Sequence, residues 1–222
     1  GGVAVGVFVF RQVGFHQTFH VEAVGELERQ DRIVDGAGFY LLDVFRVAGG
    51  QDHAKFFHSH YGTVTPSGLN LEPGEEYGHD TFMREFCADH SPVPGWSVDW
   101  NVDDRLGFLA PGTPVRLRYT DLTHDAEAHL CEAWIATGNY QSNDDAWIPR
   151  VMVRRRNDGQ ELESTFVAVI EPYGEARAVS DIRRLALADA NGIELPDSYV
   201  AVEIAHVAGP RDLVVVNDVD EN

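Results

Sequence analysis

Val115-Arg116-Leu117-Arg118-Tyr119-Thr120 sets an apolar side chain at every second position and a polar one between. A period of two marks a β-strand with one face on a core and the other in water. Working outward, Val200, Val202 and Ile204 alternate in the same way with Tyr199, Ala201 and Glu203. More continuously apolar runs at Phe39–Val47, Thr165–Glu171 and Leu213–Val216 fit strands covered on both faces, as in the middle of a sandwich. Turn-forming clusters separate the runs at 34–38, 48–50, 72–74, 110–114 and 157–159. The last, Asn157-Asp158-Gly159, lies between Arg150–Arg156 and Glu161–Ile170 and predicts a hairpin. No stretch sustains a 3.6-residue period; Asp80–Phe86 and Ala176–Ala190 come nearest and read equally well as strands. The expectation is an all-β chain: a large antiparallel β-sandwich of about a dozen strands with few or no helices, residues 1–222 forming one domain.

Charge narrows the partners. Thirty-six acidic side chains against 17 basic ones leave −19, which argues against nucleic acid and against an anionic membrane surface. No apolar run approaches the ~18 residues of a membrane-spanning helix. Lys55 is the single lysine; the other basic residues are arginines. Cys87 and Cys131 have no zinc or CxxC spacing and read as partly buried free thiols. The opening Gly-Gly-Val-Ala-Val-Gly lacks an initiating Met and a charged leader, so a longer parent chain is expected and the localisation is left open.

Ten histidines is a high count, and His53, His58, His60 and His79 cluster in the sequence. On an extended run His58 and His60 point the same way, so they could bind zinc with His53 or Asp52, or hydrogen-bond their neighbours on a polar strand face. His16, Gln17 and His20 form a looser version. No Gly-x-Ser-x-Gly elbow and no phosphate-binding glycine loop is present. The carboxylate pairs Asp103-Asp104 and Asp144-Asp145 sit in loop-like sequence, where adjacent side chains diverge. Trp96, Trp100 and Trp147 could stack on sugar rings or fill the sandwich core. Arg150, Arg154, Arg155 and Arg156 form the one basic run, either a solvated strand face or a contact for an acidic ligand. Trp96, Trp100, Trp147 and Arg150 are therefore the candidate carbohydrate-binding residues.

Two segments carry a family resemblance. Asp43-Val44-Phe45-Arg46-Val47-Ala48-Gly49-Gly50-Gln51-Asp52-His53, followed by Phe56-Phe57-His58, resembles the β-sheet region of heparinase II/III-like polysaccharide lyases. There an Asp-x-Phe-x-Val-x-Gly-Gly-x-x-His run leads into a Phe-His-Gly turn; here Ser59 replaces the glycine. Ser164-Thr165-Phe166-Val167-Ala168-Val169-Ile170-Glu171-Pro172-Tyr173 is similar to a second strand of that family, in the same order along the chain.

The resemblance implies a protein of two parts, an N-terminal α/α toroid and a C-terminal β region, acting on acidic polysaccharides. Its chemistry would be β-elimination at a uronic acid: a tyrosine or histidine base removes the C5 proton, the sugar carboxylate is neutralised, and the C4 oxygen leaves. The family's catalytic tyrosine and one histidine come from the toroid, and a zinc site belongs to an HxH motif opening the β region. His58-Ser59-His60 has the HxH shape but follows the Asp43–Val47 strand, so no catalytic residue or zinc ligand is carried over. The chain is expected to be the C-terminal β-sandwich of such a lyase, structural or substrate-framing and inactive alone, with the toroid of its parent as partner. A stand-alone carbohydrate-binding module and a cupin-like metal enzyme using His53, His58 and His60 are the alternatives.

Overall fold

The computed structural model describes residues 3–12, 38–105, 107–135 and 147–217, the first of these by its backbone. His16, Gln17, His20 and Asp144-Asp145 lie outside the described residues. Fourteen strands follow in chain order: β1 Val3–Gln12, β2 Phe39–Ala48, β3 Asp52–His58, β4 Gly62–Ser67, β5 Glu72–Pro73, β6 Met83–Asp89 and β7 Ser97–Val102. The remainder are β8 Arg116–Asp121, β9 Glu127–Trp134, β10 Trp147–Arg156, β11 Glu163–Tyr173, β12 Val179–Leu185, β13 Val200–His206 and β14 Arg211–Val216. The described residues contain no helix. The two ambiguous segments resolve as β6 and β12.

All pairings are antiparallel, in three sheets. The first runs β1-β2-β11-β8-β7-β4, the second β3-β10-β9-β6-β5, the third β12-β13-β14. The strand period of two assigns the faces. From β2, Tyr40, Leu42 and Val44 pack with Val200, Val202 and Ile204 of the third sheet. The intervening Leu41, Phe45 and Val47 turn to the second sheet, in one core with its Val151 and Val153 and with Trp100 of β7. On β11, Val167 and Val169 join the first core, whereas Phe166, Ala168 and Ile170 join the second. The first sheet is thus the middle layer where β2 and β11 lie, which is why those segments read as continuously apolar.

Two expectations are corrected. Leu213–Val216 is not covered on both faces: Val214 and Val216 pack inward, but Leu213 and Val215 are 64% and 44% exposed on the edge strand β14. Asn157-Asp158-Gly159 does not close a hairpin, because β10 pairs with β3 and β9 while β11 pairs with β2 and β8. The turn is real, with Gly159 at φ 98°, but it carries the chain from the second sheet to the first. Local turn chemistry fixes the bend; packing of distant strands chooses the partners.

Gly62 marks a close approach. Its φ is +145°, and a Cβ there would stand 2.1 Å from the Asn101 carbonyl oxygen on β7. Gly62→Ala is expected to lower stability by about 2 kcal/mol in urea unfolding, through strain and separation of β4 from β7.

Candidate functional site

The motif residues meet at one corner, where the chain crosses twice between the first and second sheets. One crossing, 48–52, turns through Gly49 and Gly50 at φ 85° and 87°, left-handed conformations that favour glycine. The other, 156–163, lies alongside it. Gly49 N donates to Leu162 O (2.9 Å), Leu162 N to Gly50 O (2.8 Å) and Asn157 N to Gln51 O (3.0 Å). His53, 6% exposed, fastens the corner: its Nε2 lies 2.6 Å from Gly49 O and its Nδ1 2.9 Å from Ser164 Oγ. A carbonyl only accepts, so Nε2 carries a proton, and in the neutral ring Nδ1 accepts from the Ser164 hydroxyl. Ser164 opens the second motif. The two sequence signatures are therefore one structural joint, in register along β2 and β11 from Glu163 opposite Ala48 to Ile170 opposite Leu41.

Beneath the joint, the single lysine is half of a buried ion pair: Lys55 Nζ lies 2.5 Å from Asp43 Oδ2, their side chains 10% and 9% exposed. Close by, Tyr119 donates to Asp121 Oδ2 at 2.6 Å and Thr123 N donates to Oδ1 at 2.9 Å. Burial pushes the Asp121 carboxyl above its ordinary range despite these bonds. The Tyr119 phenol is held well above its usual value by burial and the Asp121 charge. Tyr173, which donates to Asp99 Oδ1 at 2.8 Å, is also raised, by burial and then by Asp99. Both phenols keep their protons at neutral pH. Tyr40, Asp212 and His206 form another hydrogen-bonded group (3.0 and 2.8 Å), enclosed between the first and third sheets at 0%, 3% and 5% exposure.

The tryptophan assignment is corrected. Trp96 and Trp100 are 3% and 0% exposed in the core between the first two sheets, so neither presents a ring to a sugar. Trp147 is half-buried at the start of β10, with the Arg84 guanidinium 4.1 Å from its ring centroid. It sits opposite Trp134, whose ring meets the exposed Phe82. Acrylamide should quench only part of the tryptophan emission, leaving a blue-shifted fraction from Trp96 and Trp100.

The histidines do not converge. Both His53 nitrogens are engaged at the joint, exposed His58 turns Nδ1 to Ser59 O (2.9 Å), His60 packs edge-on to Tyr61, and His79 is exposed in the loop before β6. Among the described residues no group of three or more His, Cys, Asp or Glu side chains is placed to hold a metal ion.

The basic run is largely neutralised from within. Arg154 is paired with Asp52, Arg156 with Glu127, and Arg155 donates to Glu163 O. The hydrogen bond from Arg154 holds Asp52 below the usual carboxylate range. A lowered folded-state pKa adds stability that is fully present above the ordinary aspartate value of about 4 and is lost as pH falls below it, through the lower folded-state pKa. Asp52→Asn should accordingly flatten the fall of the thermal midpoint between about pH 5 and pH 3. Arg150 is different. No carboxylate or carbonyl partners it among the described residues, and its Nε is buried without an acceptor.

The free thiols are as expected, Cys131 buried and Cys87 half-buried. Burial pushes the Cys131 thiol up to about 12. In native protein at pH 8, a thiolate-selective reagent should label Cys131 only on unfolding.

Sequence reading missed an open cleft of about 530 Å³ lined by His90, Pro92, His124, Glu127, Arg154 and Arg156. Burial alone would raise the Glu127 carboxyl, but Arg156 and the His129 and His90 imidazoles more than offset it and hold it low. Arg154 and Arg156 belong to the basic run, two apart on β10, but the other residues come from separate loops and strand ends that no periodicity links to it. Comparison with protein-family models and with curated proteins gave no match.

Proposed function

We propose that this chain is the C-terminal β-sandwich of a heparinase II/III-like polysaccharide lyase, framing substrate and docking the parent's toroid, without turnover of its own. The observation that carries the reading is the joint. The two segments that resemble the family come together in register, and their distinctive residues, Gly49, Gly50, His53 and Ser164, are consumed in crossing between sheets. Residues of a motif used in this way explain a family likeness without a reactive group in it. The high proton affinities of Tyr119 and Tyr173 agree, since β-elimination needs a base free to accept the C5 proton.

The test is to incubate the chain with uronate polymers and follow absorbance of the unsaturated product. No turnover is expected; appreciable turnover overturns the inactive-alone reading. The stand-alone carbohydrate-binding module keeps one observation in its favour, the half-buried Trp147 beneath Arg84. A glycan panel that changes the emission of wild type but not of Trp147→Phe would favour it.

A further inference from the structure

We propose that Arg150, with His58 and Phe56, is a subsite for the carboxylate of a uronate residue on the outer face of the second sheet. This deepens the reading of the chain as a substrate-framing part of a lyase. Arg150 on β10 stands directly opposite His58 on β3, so both side chains leave the sheet on the same face. Phe56, two residues before His58, shares that face, and the Arg150 guanidinium lies 5.8 Å from its ring centroid. Phe56 is 38% exposed and Tyr77 meets it edge-on at 5.5 Å, which leaves an aromatic wall beside the cation.

Charge and burial together single Arg150 out: Arg116 also has no carboxylate partner among the described residues, but it is exposed. In a chain of −19, its neighbours on the strand, Arg154 and Arg156, already hold carboxylates. Arg150 is half-buried, its Nε has no acceptor, and no counter-ion reaches it among the described residues. A buried guanidinium N–H without an acceptor is unfavourable unless something supplies one, and the Phe56 ring beside it offers none. Its planar fork matches a carboxylate, and ring stacking suits a pyranose. Together they favour a sugar acid over an acidic peptide, which would supply the charge but has no use for the ring wall.

The test is calorimetric titration of the full chain with a mannuronate tetramer, a cellotetraose and a tetraglutamate peptide at physiological salt. Arg116→Ala removes the same unit of charge as Arg150→Ala, so long-range repulsion from the acidic chain cancels between these two variants. The mannuronate tetramer is expected to bind in preference to both others, Arg150→Ala to weaken it at least about tenfold, and His58→Ala less. Arg116→Ala, on the first sheet, should leave binding unchanged. If Arg150→Ala does not fold, Arg150→Gln gives the same reading. Equal binding by wild type and the Arg150 variant, no binding of the uronate, or equal binding of cellotetraose or peptide overturns the subsite. None of these outcomes bears on turnover, so the subsite and the lyase assignment fail separately.

Discussion

Lys55→Met is expected to lower the free energy of unfolding by about 3 kcal/mol or more, read from urea denaturation at neutral pH. Removing the ammonium leaves the Asp43 carboxylate in a site where it is 9% exposed and its second oxygen already lacks a hydrogen-bond partner. The buried Asp121 loses a nearby positive charge in the same step. Breaking a buried pair from one side strands the other charge, whereas replacing both members with apolar groups of similar size is often neutral. The double variant Asp43→Leu/Lys55→Met should therefore recover most of the loss. A Lys55→Met protein as stable as wild type would show that the pair contributes little at the centre of the fold.

His53→Ala should cost about 2–4 kcal/mol. The ring leaves a cavity, Gly49 O loses its donor, and the Ser164 hydroxyl loses its acceptor in a site where Ser164 is 3% exposed. Ser164→Ala removes one side of one bond and should cost about 1 kcal/mol. The order matters: a histidine whose task is coordination would show a stability that responds to a chelator, and His53 should show none. Thermal unfolding of both variants with and without chelator makes the comparison.

Much of the architecture was legible from side-chain period alone. Val115–Thr120 and Tyr199–Ile204 alternate, and the structure makes them β8 and β13, each with its apolar side inward. The runs at Phe39–Val47 and Thr165–Glu171 became the doubly covered β2 and β11. Leu213–Val216 has the same composition yet lies at an edge, because composition reports what a strand could bury and not whether a neighbour arrives. The connection at 157–159 failed for a related reason. A turn signal acts over four residues, while the choice between hairpin and sheet crossing is made by partners on the order of a hundred residues away in sequence.

The site was less legible. An indole in a strand reads the same whether it faces a core or a ligand, and Trp96 and Trp100 turned out to face the core. Arg150 was visible as part of a basic run, but its isolation depends on where Asp52, Glu127 and Glu163 fall around its neighbours. The glycine pair and His53 stood out in the sequence as a signature. Their task, joining two sheet crossings, needed Ser164 to be seen beside them.

The account rests on that joint holding β2 and β11 at the centre of three layers. Amide hydrogen exchange of wild type and His53→Ala tests it most directly. The prediction is that residues 40–44 and 166–170 exchange last in wild type, and that in His53→Ala their protection falls together with that of β3. Unchanged protection of β2 and β11 in the variant, or faster exchange there than in the edge strand β14 of the wild type, would contradict it.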